Sequence, residues 1–434
     1  MSIVEQRRVN PWSWIPSLYL AQGLPYVIVM TVSVIMYKRL GVSNEDIAFY
    51  TSWLYLPWVI KPLWSPLVDA LRTKRFWIVT MQLVIGAALA GVALTIPGPE
   101  FFRYSLAVFW LLAFSSATHD IAADGFYILA LDDNQQATFV GIRSTFYRIA
   151  MITGQGALVV LAGDLETVSV FGIGGSVPTA WSATIGFVAA IFLAFTLYHL
   201  VALPRPQTDV GTAQARSSVL VKEFITTFVE FFRKDNIGTV LAFLLLYRLG
   251  EAQLVKMISP FMLDSVDKGG LGMTTEQVGF AYGTVGIIAL AVGGILGGLA
   301  IARKGLQYWI WPMALIIHLP DAVFVVLALT QPSNVYLISA ATAVEQFGYG
   351  FGFTSYMMYM IYVARGTNST AHYALCTGIM ALGMMLPGMF SGWVQAQLGY
   401  TNFFIWVLVA TIPSFILART VRVDAEFGKK KLAG

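Results

Sequence analysis

The chain has 434 residues, 57% hydrophobic and only 12% charged, with 27 basic and 23 acidic side chains and a mean hydropathy of +0.71. A soluble domain carries about twice that share of charge, so a water-soluble fold of this size is excluded. Abundant aromatics and a lone cysteine, Cys376, inside an apolar run exclude disordered, collagen-like and disulfide-stapled classes, and continuous rather than alternating apolar runs exclude a β-barrel.

The reading is an all-α integral membrane protein of twelve transmembrane helices. The apolar stretches lie at about 12–37, 46–70, 76–96, 102–130, 136–163, 178–202, 237–263, 275–302, 307–330, 334–363, 369–397 and 401–420. The longest polar interval, 203–236, divides an N-terminal six-helix bundle (1–202) from a C-terminal one (237–434). Within it, Val219, Leu220, Phe224, Phe228, Phe231 and Phe232 recur at helical spacing among charges. That pattern suits an amphipathic helix on the cytoplasmic membrane surface; an ordinary linker is the alternative.

Of the 27 basic residues, 18 fall in segments on the N-terminal side of the membrane and four (Lys38, Arg39, Arg103, Lys268) on the other. The asymmetry predicts that both termini are cytoplasmic. Met1 to Pro11, with Arg7 and Arg8, reads as a retained cytoplasmic tail and not a signal peptide.

The second half repeats the first at an offset of 231. Gly41-Val-Ser-Asn-Glu45-Asp-Ile-Ala-Phe49 matches Gly272-Met-Thr-Thr-Glu276-Gln-Val-Gly-Phe280, and Arg72 falls on Arg303. Ser43 and Thr274 are expected helix caps. Parallel six-helix repeats resemble the ground plan of the major facilitator superfamily. The loop Asp69-Ala-Leu-Arg72-Thr-Lys74-Arg75 resembles that superfamily's signature loop, without its usual glycine. It implies a cytoplasmic latch involving Asp69, Arg72 and Arg75.

Ten charges lie inside the spans: Lys61, Asp120, Asp124, Arg143, Arg148, Arg248, Glu251, Lys256, Asp321 and Glu345. Each costs roughly 2.5–3.5 kcal/mol at a helix centre, so they are expected to face a cavity or one another. Matched depths on the fourth and fifth spans predict the pairs Asp124–Arg143 and Asp120–Arg148, with a purely structural role as the alternative for the former. Glu345 and Glu251 are the first candidates for proton carriers, with Arg248 as the local cation; Asp120 and Asp124 are the others. A permanent Arg248–Glu251 bridge is the alternative. His318 and Asp321 read as a structural pair. Tyr19, Gln22 and Tyr26 recur along the first span, where Pro25 is a potential hinge. Lys61, His119, Arg148, Arg248 and Tyr349 complete the candidate solute-binding set. No cluster has metal-ligand spacing, and no nucleotide or nucleophile motif is present.

Several segments together resemble one branch of the superfamily, the AmpG-like muropeptide permeases and their acetyl-CoA transporter relatives. They are Gln22-Gly23-Leu24-Pro25, Lys61-Pro-Leu-Trp64-Ser65-Pro66-Leu-Val-Asp69, Ser116-Ala-Thr-His119-Asp120-Ile-Ala-Ala-Asp124, Arg248-Leu-Gly250-Glu251, Glu345-Gln-Phe-Gly348 and Thr370-Ala-His372-Tyr373-Ala-Leu375. His119 and His372 stand where the family usually has Gln, and the family's additional C-terminal helices are missing. The resemblance implies proton-driven import of anhydro-muropeptides across the bacterial inner membrane. It also implies a monomer that needs no cofactor beyond the proton gradient and has no nucleic-acid partner. Another polar solute (siderophore, sugar, acyl-nucleotide), export, a membrane-embedded acyltransferase using His119 and Asp120, and a non-transporting receptor are the competing readings.

Overall fold

The structure is a computed structural model that describes residues 9–170, 172–207, 209, 217–366 and 368–429; within these, the side chains of 69, 70, 133, 137, 170 and 217–224 are not described. Among the described residues, nine helices are long and apolar enough to cross a membrane. One of them, Ser369–Thr420, turns at Gly399 (φ 70°) and supplies two spans. Two more polar helical segments complete twelve: 44–71, which bends after Trp53, and Val335–Val363, which carries Glu345. The chain is thus an all-α membrane fold of two pseudo-symmetric six-helix bundles.

Short-range chemistry explains where the spans begin. Ser43 Oγ accepts from the Asp46 amide at 3.1 Å, and Thr274 forms a reciprocal capping box with Gln277. The repeated motif at offset 231 therefore starts the second and eighth spans in the same way. Large apolar side chains such as Leu83, Leu197, Val326 and Ile416 point outward from the third, sixth, ninth and twelfth spans, the expected lipid face of a bundle.

The halves meet where the second span packs on the eleventh and the fifth on the eighth. Both seams need glycine. A Cβ on Gly283 would lie 2.0 Å from the Gln155 carbonyl, and one on Gly392 would lie 2.1 Å from that of Asn44. The interval between the halves contains the helix Ser217–Phe232. Its end docks on the second half: Phe231 is buried against that half's core, and Lys234 Nζ donates to the Val363 carbonyl. The side chains of Val219, Leu220 and Phe224, and residues Arg7 and Arg8, lie outside the described set, as does the side chain of Asp69.

Candidate functional site

A cavity of about 1050 Å³ lies between the halves, at the upper end of the usual range for a solute site. Its floor includes Gln22, Tyr26, Tyr55, Trp58, Gln155 and Arg248, and its mouth includes Arg72, Lys74 and Asp209. The other side is sealed. Lys38 and Asp264 form an ion pair at 2.7 Å, and Asp264 also accepts from Tyr400 at 2.6 Å. Arg39 pairs with Glu166 at 2.7 Å, and Glu166 accepts from Thr275 across the seam at 2.9 Å. Sequence reasoning counted Lys38 and Arg39 only as exceptions to the charge asymmetry. Their position as exceptions was the available signal: basic residues on the sparsely basic face stand opposite the acids of other span ends.

In the first half, Asp120 receives Lys61 Nζ on one carboxylate oxygen and Gln22 Nε2 on the other. All three line the cavity. Arg143 donates to Asp124 at 3.1 Å and lies over the rings of Tyr19 and Tyr127, at 4.7 and 4.8 Å. The predicted Asp124–Arg143 pair is therefore present, whereas Asp120–Arg148 is corrected. Arg148 donates instead to the Ala291 carbonyl of the eighth span at 3.1 Å. Five residues rotate a helix by about 140° beyond a full turn, so Arg143 and Arg148 cannot both face the fourth span. Matched depth gave no information about azimuth.

Three further expectations change. Tyr19 does not line the cavity but stacks under Arg143. His119, 1% exposed, is turned away into a buried chain. There Ser17 Oγ bonds His199 at 2.9 Å, His199 Nδ1 donates to Gln82 at 2.9 Å, and Gln82 donates to His119 at 3.0 Å. His372 packs against Phe231 of the linker helix, ring centres 5.6 Å apart, and is not in the cavity wall. In the signature loop, Arg72 lies over the Phe76 ring and Arg75 bonds the Leu200 carbonyl. Both contacts stay within the first half. Asp209, not anticipated, accepts from the amides of Lys74 and Arg75 at 2.6 and 3.0 Å, capping the third span.

In the second half, Arg248 and Tyr349 line the cavity. Arg248 donates to the Tyr349 hydroxyl, and its guanidinium lies over Tyr349 and Phe353 at 5.2 and 4.8 Å. It stands at a break in the seventh span, between Ile237–Leu246 and Leu249–Leu263. Glu251 makes no hydrogen bond among the described residues, so the alternative of a permanent Arg248–Glu251 bridge is set aside. Glu251 instead meets Glu345 and Asp321 behind the wall. His318 lies 3.8 Å from Asp321, but Asp321 is also part of this three-carboxylate nest. The sequence contains no metal-ligand spacing because the three residues come from three different spans. The glycines beside Glu345 bring helices together: a Cβ on Gly350 would lie 2.0 Å from the Leu290 carbonyl.

The Major Facilitator Superfamily matches this chain over residues 17–371. The anhydromuropeptide permease of Escherichia coli (strain K12) is 24% identical over 419 residues, covering 94% of this chain and 79% of its own length. A protein of Rickettsia conorii named putative transporter AmpG 4 is 26% identical over 415 residues, covering 92% and 94%. In fold, a D-xylose-proton symporter superposes with a TM-score of 0.69 at 9% identity over 97% of this chain and 98% of its own. The chain belongs to the major facilitator superfamily of membrane transporters.

Proposed function

We propose that this transporter imports anhydro-muropeptides, or closely similar acidic glycopeptides, by proton-coupled alternating access. The observation that carries the reading is the Lys61–Asp120–Gln22 cluster in the wall of a large cavity. A peptide-bearing sugar needs cations for its carboxylates and aromatic faces for its rings. Lys61 and Arg248 supply the first; Trp58, set edge-on to Tyr26 at 5.3 Å, and Tyr349 supply the second. The names of the relatives above support the same solute class.

The coupling step follows from competition for one cation. With Asp120 ionised, Lys61 is held by it. A proton on Asp120 releases Lys61 to a solute carboxylate, so solute and proton bind together. Loss of the proton to the cytoplasm returns Lys61 to Asp120 and weakens the solute's hold. The basic-residue asymmetry supports a cytoplasmic Arg72 face; on that reading the cavity is inward-facing, with the outer side sealed by Lys38–Asp264 and Arg39–Glu166–Thr275. The two halves would rock about this site, exchanging that seal for one at the Arg72 face.

Uptake of labelled anhydro-muropeptides into proteoliposomes with an imposed pH gradient tests the proposal. Absence of uptake overturns the solute assignment. Uptake that ignores the gradient overturns the proton coupling while leaving the solute in place.

A further inference from the structure

Behind the cavity wall, Glu251, Asp321 and Glu345 converge from the seventh, ninth and tenth spans. One carboxylate oxygen of each lies within 4.8 Å of the other two. The three residues are 0%, 1% and 0% exposed, and none lines the cavity. Three carboxylates this close in an apolar interior are held together only with protons or a cation among them. Both oxygens of Glu251 and both of Asp321 are without a hydrogen bond among the described residues. Glu345 accepts from Gln346 at 2.9 Å.

A second observation comes from the backbone. Two of the three spans are interrupted at the nest. The seventh leaves helical geometry at Arg248 (φ −108°, ψ 22°) and restarts at Leu249, with Glu251 in its first turn. The ninth tightens to a single narrow turn, Leu319–Asp321, before restarting at Ala322. Both restarted helices direct N-terminal partial positive charge toward the acids. The carbonyl of Tyr247, released by the first break, is taken by His318 Nε2 at 3.0 Å and Ser414 Oγ at 2.7 Å. That contact turns His318 Nδ1 toward Asp321, 3.8 Å away. This Nδ1 is fully buried and has no hydrogen-bond partner among the described residues. Other charged or titratable groups near the nest include, among the described residues, Arg248, Tyr55, Tyr282 and Tyr349.

Secondary transporters bind their coupling ions near the bilayer midplane, beside interrupted helices. We propose that Glu251, Asp321 and Glu345 form a binding site for one dehydrated Na⁺-sized cation, distinct from the Asp120–Lys61 cluster. The donors are hard oxygens, and their mutual separations, all within 4.8 Å, do not exceed twice the roughly 2.4 Å bond of a cation of this size, the farthest that two ligands of one ion can stand apart. The cation supplies one positive charge; the two helix ends and Arg248 offset part of the remainder. Gln346 lines the cavity and bonds Glu345, connecting the site to the solute path. This inference goes beyond the solute reading and depends on no solute.

The test uses the full chain in detergent, unfolded thermally under tryptophan fluorescence in NaCl, KCl, CaCl₂ or choline chloride at matched ionic strength. Equilibrium binding of radioactive Na⁺ runs in parallel. The expected result is a saturable rise of a few degrees with Na⁺ over choline and one Na⁺ per chain. Asp321→Asn and Glu251→Gln each lose both signals while melting in choline at or above the wild-type midpoint. Identical melting in Na⁺ and choline with no Na⁺ bound overturns the proposal. So does stabilisation by Ca²⁺ alone, or Na⁺ binding that survives in the Glu251→Gln/Asp321→Asn double variant. With no solute or gradient present, failure here is separable from failure of glycopeptide uptake.

Discussion

The two halves handle buried acid in opposite ways. In the first, each aspartate has its own cation, Lys61 for Asp120 and Arg143 for Asp124, and both pairs reach the cavity wall. In the second, three carboxylates share a pocket behind the wall, while the nearby cation, Arg248, is turned to Tyr349 and the solute path. A paired acid in a wall can trade its cation for a solute. A shared nest with no lysine or arginine bridging it among the described residues is suited to an ion. Substitutions on the two sides should therefore separate solute handling from ion handling.

The largest effect is expected at Asp120→Asn, which releases Lys61 permanently and removes the proton-linked switch. Gradient-driven uptake should fall on the order of 100-fold, the scale of breaking one buried charge pair. Lys61→Gln should fall as far, and the double variant should stay as inactive as either single, because a solute carboxylate still needs Lys61. Recovery in the double variant would reduce the pair to simple charge balance. Across the cavity, Glu251→Gln should leave equilibrium solute affinity within about threefold, since Glu251 is not in the wall.

Both regions lie beneath the same outer seal. Asp264→Ala removes the acceptor of Lys38 and Tyr400 together and should shift the population toward the outward-open state. The chain's one cysteine, Cys376, is buried, so a Cys376→Ser background permits a reporter at Ser52, fully buried beside the second–eleventh seam. Labelling of Ser52→Cys by a membrane-impermeant maleimide should accelerate about tenfold in the Asp264→Ala variant, equivalent to about 1.4 kcal/mol of population shift. No change from the outer side would contradict either the orientation or the role of the seal.

What sequence could reach divides along physical lines. Span number, fold class and caps were readable because hydrophobic length and capping chemistry are local: Ser43 and Thr274 behave as their neighbours dictate. Cavity residues Gln22, Tyr26, Lys61, Asp120 and Arg248 were also legible, because a polar side chain at mid-membrane has few places to go. Partner identity was legible for Asp124–Arg143 and not for Asp120. Depth is encoded by position along a span, but Lys61, and not Arg148, reaches Asp120 through rotation about the helix axis and the choice of neighbour. Asp321 was hidden by a rule that is otherwise sound. The ninth span is peripheral, but its narrow turn at Leu319–Asp321 swings the carboxylate inward.

Arg148 gives a smaller effect on the same contrast. Its guanidinium holds a carbonyl of the eighth span at 3.1 Å and pairs with no acid in the cavity among the described residues. Arg148→Gln keeps a donor of shorter reach and should lower uptake only about threefold, the loss of one inter-helix hydrogen bond of roughly 0.6 kcal/mol in a membrane. A loss as deep as that of Asp120→Asn would restore Arg148 to the coupling machinery.

The smallest effect is expected beside Asp120 itself. His119 is adjacent in sequence yet faces the Ser17–His199–Gln82 chain, because successive residues on a helix point about 100° apart. In His119→Gln the new amide can still accept from Gln82, so the buried chain keeps its hydrogen bond and stability should change by no more than about 1 kcal/mol. The KM for solute should be unaltered, whereas the thermal midpoint should drop slightly. A KM shift without a stability change would mean that position 119 reaches the solute. The first-half cluster would then extend from the cavity wall through Gln82 to His199.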